Sequence, residues 1–140
     1  MREYEFRGKL LNTKVWIYGN LRVHLADGDL EQKDKRYFIE YNYMNKDGKV
    51  YRDSYEVDPS TVGQFTGLFD KNDIKIYEGD IVELEDRYVV PRWNEYLYQF
   101  DCEFLKYKEN IDNEFTFNGI RFNELRRYKV IGNMYDKEEL

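Results

Sequence analysis

The segment from residue 37 to residue 57 constrains the fold most, because it has the pattern of a complete β-hairpin. Two runs of β-forming residues, YFIEYNYM (Tyr37–Met44) and VYRDSYEV (Val50–Val57), flank the short linker NKDGK. Within the linker, Asp47-Gly48 is a strong signal for a two-residue hairpin turn. Alternate residues of the first run, mostly tyrosines, fall on one face. The sequence therefore predicts an antiparallel hairpin with an aromatic face.

The composition extends this β prediction to the whole chain. Aromatic residues make up 18% of the 140 residues, 14 of them are Tyr, and Ala26 is the sole alanine. Tyr, Phe, Val and Ile fit a pleated, half-buried surface better than a helix. A chain of this length buries enough surface to fold without disulfides or a structural metal. We expect one domain, or two small subdomains.

Before the central hairpin, Glu3–Leu25 predicts two strands around a turn near Leu11–Lys14. After it, Asp58 can cap a short helical turn that begins with Pro59 and covers Ser60–Gln64. A second hairpin follows, in which FTGLF and IKIYEGDIVEL flank the turn Asp70–Asp73.

The remaining segments are predicted from weaker patterns. DRYVVPRW predicts a strand that Pro91 places at an edge or a bulge. The expected elements after it are a strand over 96–107, a loop over 108–113, a short strand or turn over 115–120, a helical turn over 123–127 and a closing strand, YKVIGNMY. The overall expectation is a mainly β fold of two small subdomains packed together, with one or two short helical turns. Residues 1–66 form a hairpin-rich subdomain and residues 67–140 a partly closed SH3-like barrel, since IYEGDIVEL is similar to the opening of such barrels.

Charge and hydropathy bear on partners and compartment. Residues 1–66 carry 11 Lys/Arg and 11 Asp/Glu, whereas residues 67–140 carry 11 and 17, so the net charge of −6 belongs to the second half. Nucleic-acid binding depends on clustered cations, and this balance disfavours it. The sequence shows neither an apolar run near 18 residues nor a signal-peptide pattern, so we expect no membrane contact. The single Cys102 indicates a reducing compartment, and we expect the bacterial cytoplasm.

Motifs for catalysis and for metals are weak. Asp70-x-Asn72 fails the pattern of a calcium loop, and one Cys102 with one His24 cannot form a zinc site within the chain. Neither residue lies in a nucleophile motif, and both nucleotide-binding glycine loops are absent from the sequence. We therefore expect no cofactor, no metal and no catalytic residue. A carboxylate-dependent hydrolase stays open as an alternative through four acidic residues, which also have simple structural explanations: Glu56, Asp58, Glu78 and Asp80.

The most promising binding residues lie on the central hairpin: Tyr41, Tyr43, Tyr51, Arg52 and Tyr55. Interleaved aromatics and cations can stack with single-stranded nucleic acid. Tyr and Arg are also enriched at the centres of protein interfaces. Cross-strand packing is the third explanation for the tyrosines.

Three segments together resemble the YopX family: FRGK with VWIYGNL near the start, VDPSTVGQFTGLFDKNDIKIYEGDIVEL in the middle, and YKVIGNMYDKEEL at the end. The order of these segments matches the family pattern, apart from Asn72-Asp73, where the family usually has Asn-Gly, and Lys137, where it usually has Asn or Pro. The resemblance implies a bacteriophage or prophage origin and a mostly β fold, and it implies no activity. The positions that we assign to architecture within these motifs are Asp58, Pro59, Gly63, Gly67, Gly79, Asp80, Gly132 and Asn133.

The functional expectation is a non-catalytic accessory protein that binds a host or phage protein and forms a homo-oligomer. The alternative is a nucleic-acid-binding protein that uses the Tyr/Arg face of the hairpin.

Overall fold

The computed structural model describes residues 3–28, 30–31, 33–109 and 120–136. Its backbone divides into two units, Met1–Gln64 and Phe65–Leu140. Strands dominate both units, and all of the strand pairs are antiparallel. The predicted mainly β fold class is confirmed.

The first unit is an antiparallel meander of four strands. They are β1 (Phe6–Lys9), β2 (Trp16–His24), β3 (Arg36–Met44) and β4 (Val50–Val57), each paired with the next in the chain. The first two residues of β5 (Gly63–Phe69) pair with the free side of β1. The predicted turn between the first two strands is therefore present.

The end of β4 also returns to β1. Leu10, just after β1, forms a β-bridge with Val57, and the Asp58 N–H donates to the carbonyl of Lys9 at 2.8 Å. This contact lets the meander curve round and bury its inner face near the contact, where Ile39 and Val57 are almost fully buried. The first unit is thus partly closed.

The turn between β3 and β4 differs from the predicted two-residue turn. The Asn45 N–H donates to the Lys49 carbonyl, and the Gly48 N–H donates to the Asn45 carbonyl, both at 2.9 Å. Gly48 has a φ of 79°. This is the pattern of a three-residue loop, in which a turn is followed by a glycine in the left-handed region. Asp47-Gly48 correctly marks the hairpin, but Gly48 occupies the bulge position of a longer loop.

A short 3-10 turn covers Pro59–Thr61, as Asp58 and Pro59 indicate. The Asp58 carboxylate accepts a hydrogen bond from the Ser60 N–H at 3.0 Å. The turn is shorter than the predicted 60–64, because Gly63 already pairs with β1 as the first residue of β5.

The second unit contains the rest of β5, which pairs with β6 (Lys75–Tyr77), and a four-stranded sheet. That sheet has the order β10-β7-β8-β9, formed by β7 (Asp80–Glu83), β8 (Arg87–Asn94), β9 (Gln99–Tyr107) and β10 (Lys129–Asn133). It does not close on itself within the described residues, in agreement with a partly closed arrangement.

The core of the second unit joins strands and a second 3-10 turn. Its buried members are Ile76, Val82, Leu84, Val89 and Leu125. Leu125 comes from the 3-10 turn Phe122–Arg127, which confirms the predicted helical turn there. Six side chains were expected to be buried between 57 and 84: Phe65, Ile76, Ile81 and Val82 are buried, whereas Val62 and Leu68 are half-buried.

Asp70 joins the β5–β6 turn to β10. One of its carboxylate oxygens accepts hydrogen bonds from the N–H groups of Asn72 (2.8 Å) and Ile74 (3.0 Å), and the other accepts from Val130 at 2.9 Å. Asp73, where the YopX pattern has glycine, adopts a φ of 61°, which Asp tolerates. Asp70 is therefore a buried clamp for backbone groups.

Two predictions on the C-terminal part need comment. The strand expected from residue 96 begins at Gln99, because residues 95–98 form a turn. The element expected over 115–120 lies almost wholly outside the described residues, as does the end of the loop expected after 107. Lys137 also lies outside them.

Candidate functional site

The predicted tyrosines of the first unit form one continuous row. In the β3–β4 register Tyr43 lies opposite Tyr51, and Tyr41 lies opposite Asp53. Ring centroids are 5.9 Å apart for Tyr41 and Tyr55, 6.2 Å for Tyr41 and Tyr43, and 5.7 Å for Tyr43 and Tyr51. We call these four tyrosines the tyrosine face.

Burial decreases along this face toward the tip of the hairpin. At its inner end Ile39 is fully buried, and Tyr41 and Tyr55 are half-buried. At its outer end Tyr43 and Tyr51 are 43% and 38% exposed. The inner half is thus explained by packing, whereas the outer pair presents aromatic surface to solvent.

The tyrosine face is neutral except for one carboxylate. A hydrogen bond with Tyr55, together with burial and the nearby Asp53, raises the pKa of Tyr41 to about 12. The Tyr41 hydroxyl therefore stays protonated at neutral pH. Asp53 is the charged residue among the positions that pair across this part of the hairpin.

The register separates Arg52 from the tyrosines. Arg52 lies opposite Asn42, so it belongs to the other face of the hairpin, since successive residues of a strand point in opposite directions. On that face Arg22 donates to Glu40 at 2.5 Å, and Arg36 forms a two-pronged contact with Glu56. The arginine hydrogen bonds lower the pKa of both glutamates. An interleaved Tyr/Arg platform is therefore not formed on one face.

The four acidic residues weighed for catalysis have structural partners. Asp58 caps the first 3-10 turn, and Asp80 accepts a hydrogen bond from the N–H of Tyr77 at 2.7 Å. Glu56 pairs with Arg36, and Glu78 accepts from the backbone N–H of Trp93. Within the part of the chain that the structure describes, no group of three or more His, Cys, Asp and Glu is arranged to hold a metal ion.

The two nucleophile candidates are also placed. His24 is exposed at the end of β2, opposite Arg36. Cys102 is half-buried against the core of the second unit. Burial, reinforced by the charges of Asp101 and Glu124, raises the pKa of its thiol to about 12. At neutral pH the thiolate fraction of Cys102 is therefore very small, which does not suit a nucleophile.

The positions assigned to architecture lie in turns and strand pairs. Gly67 and Gly79 have φ values of 89° and 82°. Gly132 lies opposite Ile81 next to a β-bulge in β10. Asn133 closes the chain reversal after β10, because its side-chain oxygen accepts hydrogen bonds from two backbone N–H groups, those of residues 135 and 136.

A second exposed aromatic region, at the β8–β9 turn, was missed by the sequence reasoning, which placed this turn inside a strand. The Asn94 side chain accepts hydrogen bonds from the N–H groups of Tyr96 and Leu97, and Tyr98 has a φ of 53°. Tyr96 is 94% exposed and Tyr98 79% exposed. The available signal was Asn94 after the strand pattern of DRYVVPRW, because Asn commonly closes turns.

Fold and sites together define a mainly β protein that carries exposed aromatic surfaces, in which the described acidic residues stabilise turns and pair with arginines. No described helix is both long enough and apolar enough to cross a membrane. The sequence model of the YopX protein family matches residues 5–140, so the chain belongs to the YopX family. A comparison with curated proteins gave no match.

Proposed function

We propose that this chain is a non-catalytic protein-binding module that uses the tyrosine face, and that it acts as a phage- or prophage-encoded accessory protein in the bacterial cytoplasm. The observation that carries the proposal is the exposed pair Tyr43 and Tyr51 at the outer end of a stacked row. Tyrosine supplies a large contact area at a low cost in side-chain entropy, and buried tyrosines are enriched among the residues that dominate binding energy.

The charge of this face favours a protein partner over nucleic acid. A phosphate backbone requires cations near the stacking aromatics. Here the charged neighbour is Asp53, and Arg52 projects from the opposite face. A protein surface with apolar groups and hydrogen-bond acceptors matches both the rings and the hydroxyls of the tyrosines.

The proposal is tested by capture of the tagged chain from host lysate, with and without nuclease. The test variant is Tyr43→Ser/Tyr51→Ser. The matched control is Met44→Ser/Val50→Ser, which alters the neighbouring cross-strand pair on the other face, where the two side chains are 70% and 66% exposed.

A partner that survives nuclease, is lost with the tyrosine variant and is kept with the control supports the proposal. Capture that disappears with nuclease supports the nucleic-acid alternative. If the captured partner is a second copy of the chain, sedimentation of the same variants decides whether the tyrosine face forms a homo-oligomer.

A further inference from the structure

A shallow cleft of about 370 Å³ lies beside the β8–β9 turn of the second unit. Three carboxylates line it, those of Glu95, Asp101 and Glu103, against one guanidinium, that of Arg92. Arg92 lies 3.6 Å from Glu103 and also donates to the Tyr135 hydroxyl at 3.1 Å. The cleft therefore keeps an excess of negative charge.

Two aromatic side chains line the same cleft. Tyr96 is 94% exposed, and Trp93 is 40% exposed with its ring edge-on to Phe100 at 5.1 Å. A ring as exposed as that of Tyr96 contributes little burial to the fold. It offers a flat surface on which a cation can stack.

We propose that this cleft binds an arginine side chain from a basic segment of a partner protein. The charge of the cleft selects a cation, and the aromatic rings favour the planar guanidinium over a compact ammonium group. Asp101 is held in place, because its two oxygens accept hydrogen bonds from Asn94 at 2.6 Å and Gln99 at 2.9 Å. The site thus offers oriented carboxylates beside a stacking surface.

The same charges disfavour other partners. Three carboxylates repel the phosphates of nucleic acid and of anionic lipids. These partners serve as comparison arms of the test.

The binding test uses the full chain labelled with nitrogen-15 and the peptide acetyl-Gly-Arg-Gly-Arg-Gly-amide. The chain has two tryptophans, Trp16 and Trp93, so its indole N–H signals are few, and Trp93→Phe assigns them. We expect the arginine peptide to shift the Trp93 signal. The peptide with citrulline in place of arginine, which has the same shape without the charge, is expected to leave it unchanged.

Variants of the cleft give the second readout. We expect Glu95→Gln and Tyr96→Ser each to weaken peptide binding about two- to fivefold. The control is Glu85→Gln, which removes the same charge from an exposed position of the same unit that does not line the cleft.

Equal shifts with the citrulline peptide, equal weakening by Glu85→Gln, or stronger binding of an oligonucleotide, spermidine or anionic vesicles would overturn the proposal. The tyrosine face lies on the first unit, so its test is independent of this one.

Discussion

Gly79 offers the sharpest test of the second unit, because two separate effects oppose a side chain there. Its φ of 82° lies in the left-handed region, where a Cβ costs about 1 kcal/mol. A Cβ at Gly79 would also lie 2.7 Å from Cε2 of the Tyr135 ring. That ring is held by the hydrogen bond from Arg92, so it cannot move away without loss, and such overpacking costs about 1–3 kcal/mol.

Two other glycines separate these effects. Gly67 has a similar φ of 89°, but a Cβ there meets nothing within 4 Å, and at Gly132 neither the conformation nor the space opposes one. We expect Gly67→Ala to lower the free energy of unfolding by about 1 kcal/mol and Gly79→Ala by about 2–4 kcal/mol. Gly132→Ala is expected to stay within about 0.5 kcal/mol of the wild type.

Urea unfolding followed by circular dichroism measures all three variants. Combining Gly79→Ala with Tyr135→Ala should remove most of the extra cost, since the ring that blocks the new Cβ is gone. If Gly79→Ala is no more destabilising than Gly67→Ala, the close approach of Tyr135 is refuted. If both behave like Gly132→Ala, the left-handed conformations are refuted as well.

Three further predictions follow from single groups. Asp70→Ala should lower the free energy of unfolding by about 3 kcal/mol or more in urea, because three backbone N–H groups lose a buried carboxylate acceptor; Asn72→Ala, which keeps that acceptor, is the control, and equal effects would contradict the clamp. Cys102 should react with iodoacetamide at pH 8 far more slowly than free cysteine and reach the rate of free cysteine only in urea, because its pKa is raised to about 12; a rapid reaction of the folded chain would contradict this. Since that pKa exceeds the value of the unfolded chain, the contribution of the protonated thiol to stability is complete below about pH 9 and is lost as the pH rises toward 12. One tyrosine, Tyr41, should titrate near pH 12 in ultraviolet absorbance, and Tyr55→Phe should bring that titration to lower pH, because the Tyr55 hydroxyl is its main cause.

Local chemistry made much of the fold predictable. Asp58-Pro59 predicts a capped turn because both residues favour the start of a helix, and Asp47-Gly48 predicts a hairpin because glycine accepts a positive φ. The extent of each element was less accessible, since it depends on pairing with distant strands. The turn after Asp58 is cut short because Gly63 pairs with β1, and no local signal reveals that pairing.

The candidate sites divide in the same way. The alternation of Tyr41 and Tyr43 correctly predicts a shared face, because strand periodicity is a local property. The position of Arg52 depends on the register of β3 against β4, which the length of the turn sets. The three-residue loop places Arg52 opposite Asn42, and a two-residue turn does not reveal this.

The dissociation constant of the captured partner tests the central proposal most directly. It should be measured by titration calorimetry for the wild type, Tyr43→Ser/Tyr51→Ser and Met44→Ser/Val50→Ser. Binding through the tyrosine face predicts a loss of at least about tenfold for the tyrosine variant and little change for the control, since truncation of a central interface residue typically costs over about 1 kcal/mol. Equal affinities for all three chains would contradict it and remove the tyrosine face as the binding site.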